Sequence, residues 1–257
     1  MARLLDRLQG HGSVLKPLIE AAARERLAPT LIFNGPSGVG KRLAALALAQ
    51  SLVCEKSRDA ACGECGGCLR IERGQSESLL VIEPDGAQIK IEQARDVLQF
   101  ISLRALGRAR VIVIDQAHLL GPQAANALLK SLEEPPSGTY FILVTPLASA
   151  ILPTIRSRSQ LVRFAPLDVK SLRAVLGANA DEWVLRSARG SVETARRMME
   201  DRAEFQEIET ATRAYLGASL QGRGLPGTEI SNLREMLKDR SAHGFVASLI
   251  QGTIRDG

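Results

Sequence analysis

A glycine-rich segment that ends in lysine lies near the start of the sequence. Residues 35–41 read Gly-Pro-Ser-Gly-Val-Gly-Lys, after the strand-like run 30–33 and before a helical pattern that begins at Leu43. Glycines let a backbone turn tightly and point its N–H groups at an anion, while the next helix start and a lysine add positive charge. The pattern predicts a phosphate-binding loop, with an ordinary glycine-rich turn as the alternative. Its residues are Gly35, Pro36, Ser37, Gly38, Val39, Gly40 and Lys41.

Four further residues bear on whether this loop uses nucleotide and magnesium in the usual way. Arg42 stands where a hydroxyl side chain normally holds Mg²⁺. Asp115 follows the apolar run 111–114, where an acidic residue holds Mg²⁺ or its waters, but its neighbour Gln116 cannot accept a proton as glutamate would. Thr145 ends another apolar run, where its hydroxyl could contact a γ-phosphate or a water, or simply form a strand-end turn. The site is therefore degenerate, and whether it binds ATP or ADP stays open.

The four cysteines of the chain fall within fifteen residues, in a C-x7-C-x2-C-x2-C array. Closely spaced CxxC turns place thiolates on a common centre, and a fourth thiolate from a neighbouring helix end completes a tetrahedron. An iron–sulfur cluster would need another cysteine after the CxxCxxC run, and a redox dithiol would need only two. We predict a structural zinc site, closed to water and therefore not catalytic. Its ligands are Cys54, Cys62, Cys65 and Cys68.

The composition is that of a globular protein with one large domain and one or two small ones. Of 257 residues, 45% are hydrophobic and 24% are charged, and no apolar run is long enough to cross a bilayer. The first residues lack the hydrophobic core of a signal peptide, so we expect a cytoplasmic protein with no membrane partner. The net charge of +5 is compatible with nucleic acid nearby, but 4% aromatic residues make a base-stacking surface improbable.

The elements that must position these residues alternate between strand and helix patterns. Residues 1–165 predict an α/β P-loop domain with a parallel sheet, into which the cysteine module 54–70 is inserted. Strand patterns end at Pro166, and residues 166–205 predict a small lid domain of three helices. Residues 206–257 keep a weaker helical pattern, which predicts a short helical C-terminal segment.

Five segments occur in a fixed order along the chain. They are residues 33–41, the cysteine module, 113–118 (Val-Ile-Asp-Gln-Ala-His), 125–136 (Asn-Ala-Leu-Leu-Lys-Ser-Leu-Glu-Glu-Pro-Pro after Ala125) and 155–158 (Ile-Arg-Ser-Arg). Together they resemble the bacterial clamp-loader subunits of DNA polymerase III, which are AAA+ proteins. The resemblance implies a hetero-oligomer that loads the sliding clamp onto primed DNA during replication, with gamma/tau motor subunits and delta as partners. It also implies a helical collar, for which residues 206–257 provide a short segment.

Three residues separate the two kinds of subunit within this resemblance. The ATP-hydrolysing motor subunit should carry a hydroxyl at Arg42, glutamate at Gln116 and a sensor arginine at Glu193. Arg158, in a Ser-Arg-Ser that resembles the family's Ser-Arg-Cys motif, is kept, and it implies an arginine finger that acts on a neighbouring subunit's ATP. The chain therefore resembles the delta-prime stator, a component of the DNA polymerase III holoenzyme (a DNA-directed DNA polymerase) without ATPase activity of its own.

Two other functions compete with this interpretation. One is an active enzyme, either a gamma/tau-like motor subunit or another AAA+ ATPase, in which Arg42 and Gln116 are tolerated. The other is a zinc-dependent DNA-binding protein. The cysteine module carries acidic and basic residues in similar numbers, which argues against direct tracking of phosphates by this surface.

Overall fold

The computed structural model describes residues 3–103, 107–178, 180–220, 245–246 and 250. The chain divides into two compact units, Met1–Pro166 and Leu167–Gly257. The predicted C-terminal segment 206–257 is described up to residue 220 and at three later positions, and the rest of it lies outside the described residues. Within the described ranges, no helix is long and apolar enough to cross a membrane.

The first unit alternates strands and helices along the chain. Its strands are β1 (Thr30–Asn34), β2 (Leu79–Ile82), β3 (Arg110–Ile114), β4 (Thr139–Thr145) and β5 (Gln160–Arg163). Its helices are α1 (Gly12–Ala23), α2 (Lys41–Val53), α3 (Gly66–Glu72), α4 (Ile91–Ser102), α5 (Pro122–Glu133) and α6 (Pro153–Ser157). Short 3-10 helices lie at Leu4–Arg7, Ala117–Leu119 and Ala148–Ala150.

The strands form one five-stranded parallel sheet in the order β2-β3-β4-β1-β5. Alternate side chains of a strand point to opposite faces, so Leu31 and Phe33 pack in one apolar cluster and Ile32 in another. A strand that is covered on both faces is apolar at successive positions, as residues 111–114 of β3 are, and β3 is buried throughout. Because all strands are parallel, the residues that follow β1, β2 and β3 meet at one edge of the sheet.

Helix α2 connects this edge to the cysteine module. It begins at Lys41, directly after the glycine-rich loop, and its last residue, Val53, is followed by Cys54. Its small side chains allow burial on nearly every side, with Ala44, Ala47 and Leu48 fully inaccessible. A helix so enclosed holds both of its ends at fixed places in the fold.

The second unit is helical. Its helices are α7 (Val169–Leu176), α8 (Glu182–Ser187), α9 (Val192–Glu200) and α10 (Arg202–Leu220). Asp168, Asp181 and Ser191 accept hydrogen bonds from backbone N–H groups in the first turns of α7, α8 and α9. The predicted boundary at residue 205 falls inside α10. Phe205 and Ile208 of this helix are buried in the same apolar cluster as Leu172 of α7.

Candidate nucleotide and metal sites

The glycine-rich loop follows β1 and packs closely against the end of β5. A Cβ atom on Gly35 would lie 2.2 Å from the carbonyl oxygen of Phe164, so only glycine fits there. The Gly35 N–H donates to the Thr145 carbonyl at 3.3 Å, and Gly40 has a φ of +98° just before α2 begins. The loop therefore has the tight shape that its sequence predicts.

His11 supports the loop from behind. Its ring is buried, and its Nε2 donates to the Val39 carbonyl at 2.8 Å. The Phe164 ring meets it edge-on at 5.0 Å between centroids. Burial lowers the pKa of His11, and the Lys41 charge adds to this against the opposing hydrogen bond to Val39, so the neutral ring is favoured. No local sequence pattern points to this role of His11, because its partner Val39 lies 28 positions along the chain.

Lys41 lies inside the loop. Its side chain is buried, and its Nζ donates to the carbonyl oxygens of Gly35 at 2.7 Å and Pro36 at 2.5 Å. The ammonium group thus contacts the same loop whose N–H groups would meet a phosphate. An anion that bound to the Lys41 ammonium group would have to compete with these two carbonyl oxygens.

Arg42 faces two carboxylates at the strand ends. Its guanidinium is paired with Glu83, which follows β2, and its Nε lies 3.8 Å from Oδ2 of Asp115, which follows β3. Asp115 also accepts a hydrogen bond from the Gln116 N–H at 2.9 Å, and Gln116 has a left-handed φ of +48°. The structure therefore brings Arg42, Asp115 and Gln116 together. Glu83 was missed by sequence reasoning, although its position after an apolar strand predicts the same sheet edge.

Thr145 has a structural contact at the end of β4. Its side chain is fully buried, and its hydroxyl accepts a hydrogen bond from the Leu147 N–H at 3.0 Å. This is the arrangement of a strand-end turn, which was one of the two interpretations of the sequence.

His118 is a further residue in this region that sequence reasoning did not single out. Its Nδ1 is buried, with no hydrogen-bond partner among the described residues. Burial lowers the pKa of His118, and Lys41 lowers it further while Asp115 opposes the shift. The ring therefore lies within the electrostatic field of the loop lysine and the strand-end carboxylate.

Arg158 lies directly after α6. Its Nη1 is 3.2 Å from Oε1 of Glu133 and donates to the Thr154 carbonyl at 3.3 Å. The side chain is 52% exposed. A charged group that is anchored on one side and open to solvent on the other can reach a second molecule.

The four cysteines converge on one point. Their Sγ atoms all lie within 4.8 Å of one another, with Cys62 to Cys68 at 3.9 Å and Cys54 to Cys65 at 4.0 Å. A tetrahedral zinc site with Zn–S bonds of about 2.3 Å places its sulfur atoms about 3.8 Å apart. The four thiols, which form no disulfide with one another, can therefore hold a metal ion.

Backbone N–H groups surround these sulfur atoms. Burial raises the pKa of Cys65, but hydrogen bonds from the N–H groups of Glu55 and Cys68 outweigh it and lower this pKa to about 6. Burial raises the pKa of Cys68, whose side chain is inaccessible to solvent. N–H donors favour the thiolate, which is the form that binds metal.

Two polar side chains fix the cysteine module to the rest of the first unit. Arg108 donates to the carbonyl oxygens of Cys54 at 2.8 Å and Ser57 at 2.9 Å. Gln50, buried in α2, donates to the Cys68 carbonyl at 3.0 Å and accepts from the Leu4 N–H at 2.9 Å. The module is thus an integral part of the domain.

Comparison with known families decides what kind of protein carries these sites. A family model described as DNA polymerase III, delta subunit, matches residues 10–168. The chain belongs to this family. The match covers both the loop and the cysteine module of this delta subunit family member, and it confirms the resemblance predicted from the five sequence segments.

Relatives of this family member are DNA polymerase III subunits of two kinds. The delta′ subunit of Pseudomonas aeruginosa is 38% identical over 54% of this chain and 44% of the relative. The delta′ subunit of Bacillus subtilis is 36% identical over 62% of this chain and 49% of the relative. The tau subunit of Escherichia coli is 37% identical over 64% of this chain and 26% of the relative. The chain spans about half the length, or less, of these curated relatives.

Solved structures establish the fold class. A DNA polymerase III gamma subunit-related protein from Thermotoga maritima superposes with a TM-score of 0.50 and 20% identity, over 79% of this chain and 66% of that one. The RuvB Holliday junction branch migration motor of the same organism gives a TM-score of 0.50 and 19% identity, over 82% and 68%. The predicted α/β AAA+ fold with a parallel sheet is confirmed.

Proposed function

We propose that the chain is a delta-prime-type subunit of the DNA polymerase III clamp loader that does not hydrolyse ATP itself. The observation that carries this proposal is the position of Arg42, whose guanidinium is paired with Glu83 and lies 3.8 Å from Asp115. A hydrolysing site needs Mg²⁺ at this carboxylate, held with the help of a hydroxyl. Here a side chain of the protein supplies the positive charge in place of the metal.

The residue after Asp115 supports the same proposal. Gln116 carries no group that can accept a proton from an attacking water, which glutamate provides in hydrolysing subunits. The loop Gly35–Lys41 keeps its N–H groups and lysine, so a phosphate or a nucleotide without Mg²⁺ is the ligand that suits it. ATP or ADP would then act as a ligand and not as a substrate.

Arg158 is the group that this subunit would offer to a neighbour. It is half-exposed and is held on one side by Glu133. An arginine finger stabilises the charge that develops on a transferring phosphoryl group, and it contributes about 10³-fold or more in other systems. The proposed partners are gamma/tau motor subunits and delta, with the sliding clamp and primed DNA reached through the assembly. We expect the subunit to act in the cytoplasm.

The metal of the cysteine module in this proposal is zinc. Cys54, Cys62, Cys65 and Cys68 provide four sulfur donors within 4.8 Å of one another, and four thiolates are a donor set of structural zinc. Bound zinc would hold residues 54–70 in place and would leave no coordination position for a reacting water.

ATP hydrolysis tests the proposal. The chain alone should show no turnover above background, and it should raise the turnover of its cognate motor subunits when mixed with them. Arg158→Ala should abolish that increase, because the finger's contribution of about 10³-fold is lost at the site that faces this chain. Arg156→Ala, on the same exposed turn, should keep it.

Turnover by the chain alone would favour the second candidate, a gamma/tau-like motor subunit. The specific observation behind that candidate is the tau relative, which is as similar in sequence as the delta′ relatives. An increase that survives Arg158→Ala would remove the finger from the proposal.

A further inference from the structure

We infer that Glu133 is a positioning residue for Arg158, which orients the guanidinium toward the nucleotide of a neighbouring subunit. The inference rests on the proposed function, because Arg158 must act on a neighbour's ATP for its orientation to matter. The two side chains come from different helices. Glu133 is the last residue of α5, and Arg158 directly follows α6.

The contacts of Arg158 engage one end of its guanidinium. Nη1 lies 3.2 Å from Oε1 of Glu133 and donates to the Thr154 carbonyl at 3.3 Å. Both of these contacts are made through Nη1. A guanidinium offers five N–H donors in a fixed plane, so the anchored nitrogen sets the plane and the other donors stay available.

The core sets the distance between the two side chains. Leu132 precedes Glu133, Ile155 lies three residues before Arg158, and both are buried in the same apolar cluster. Protein interiors are close-packed, so the ends of α5 and α6 keep their separation. Glu133 itself is only 32% exposed, which restricts its carboxylate more than a surface glutamate.

A held guanidinium acts better on a phosphate than a mobile one. An arginine side chain loses many rotamers when it is fixed in a contact, and that loss reduces its benefit to a transition state. The Glu133 contact imposes part of the order before the neighbour arrives. Because exposed ion pairs are weak, the expected effect is a factor of about two to five.

The test uses the chain mixed with its cognate motor subunits. ATP hydrolysis is measured with and without the chain, and the readout is the increase in kcat that the chain adds, together with KM for ATP. Glu133→Gln keeps the size of the side chain and removes its charge, and it should reduce the increase about two- to fivefold. KM for ATP should stay unchanged, because positioning acts on the transition state and not on nucleotide binding.

Glu134→Gln is the matched control. Glu134 is the next residue, is exposed, and makes no ion pair with any described residue. Its substitution should leave the increase in kcat at the wild-type level. Thermal unfolding of each variant, with a Tm within about 4 °C of the wild type, verifies that the fold is kept.

A double variant separates positioning from general damage. If Glu133 acts by fixing the plane of the Arg158 guanidinium, adding Glu133→Gln to Arg158→Lys, which keeps the charge without that plane, should cause less loss than Glu133→Gln causes in the wild type. The same two- to fivefold loss in the Arg158→Lys background would overturn the inference, because the glutamate would then act by another route.

The remaining outcomes distinguish the inference from the proposed function. If Arg158→Ala removes the increase while Glu133→Gln preserves or raises it, the proposed function stands and the positioning role is overturned. If Arg158→Ala preserves the increase, the finger and its positioning residue are both overturned.

Discussion

Helix α2 has a chemically different site at each of its ends. At the N-terminal end, Lys41 and Arg42 already contact oxygen atoms of this chain. At the C-terminal end, the thiols of Cys54 and its three partners face one another across distances that suit a shared metal ion. The first site carries its own positive charges, and the second consists of donors that need a cation from outside. The site at the N-terminal end therefore has its charges paired within the chain, whereas the site at the C-terminal end depends on a bound cation.

The largest expected effect tests the dependence of the C-terminal end on its metal. Structural zinc binds with about 10 to 16 kcal/mol in zinc-finger peptides, and this free energy is shared by all of its ligands. Because Cys65→Ser removes one of the four thiolates, bound zinc should fall from about one ion per chain to none. Metal content by mass spectrometry and hydrogen exchange should show loss of the ion and faster exchange in residues 54–70, with the sheet strands unchanged. Glu64→Gln, one residue away, should retain the metal. Unfolding of the whole first unit would contradict this local dependence.

A smaller effect tests whether the N-terminal end is fixed by the fold without a ligand. Gly35→Ala places a Cβ 2.2 Å from the Phe164 carbonyl oxygen, and such overpacking costs about 1 to 3 kcal/mol. Chemical denaturation of the protein without nucleotide should show this loss. Gly12→Ala is the control, because among the described residues its added Cβ meets no atom within 4 Å beyond its chain neighbours and the backbone of its own helix. Equal stability of the two variants would mean that the loop does not hold this shape in the absence of ligand.

The smallest effect tests whether Arg42 stands in for a metal. In the wild type, binding of a fluorescent ATP analogue should be the same with and without Mg²⁺. The double variant Arg42→Thr/Gln116→Glu frees Asp115 and adds a hydroxyl, so Mg²⁺ should tighten binding by about tenfold. Gln116→Glu alone keeps the guanidinium and should stay insensitive to Mg²⁺. Tight Mg²⁺-dependent binding by the wild type would end the contrast between the two ends of α2.

The parts of the fold that could be predicted are those that depend on residues contiguous in sequence. The loop 35–41 combines glycines, a preceding strand and a lysine, and the cysteine spacing predicts one common centre. The runs 111–114 and 140–144 are apolar at successive positions, which indicates strands buried on both faces. Each of these signals depends only on local spacing, so one sequence is enough to read it.

The partners of charged groups could not be predicted in the same way. Glu83 and Asp115 face the same Arg42 guanidinium because β2 lies beside β3 in the sheet, and the order of strands is not evident from either segment. Glu133 meets Arg158 only because α5 packs on α6. The burial of Phe205 has the same origin, because it depends on helices elsewhere in the second unit.

The strand order also has a consequence for how the protein is made. β1 carries the glycine-rich loop, but its neighbours in the sheet are β4 and β5, and Asn34 is hydrogen-bonded to a residue 114 positions later. The N-terminus of a chain emerges from the ribosome first, and contacts between residues that are distant in sequence form late. The loop is therefore among the first functional segments to be synthesised and among the last to acquire its shape, since Phe164 must emerge before Gly35 can dock. Until β4 emerges, β1 has neither of its strand neighbours, and a nascent-chain chaperone would find its apolar side chains exposed.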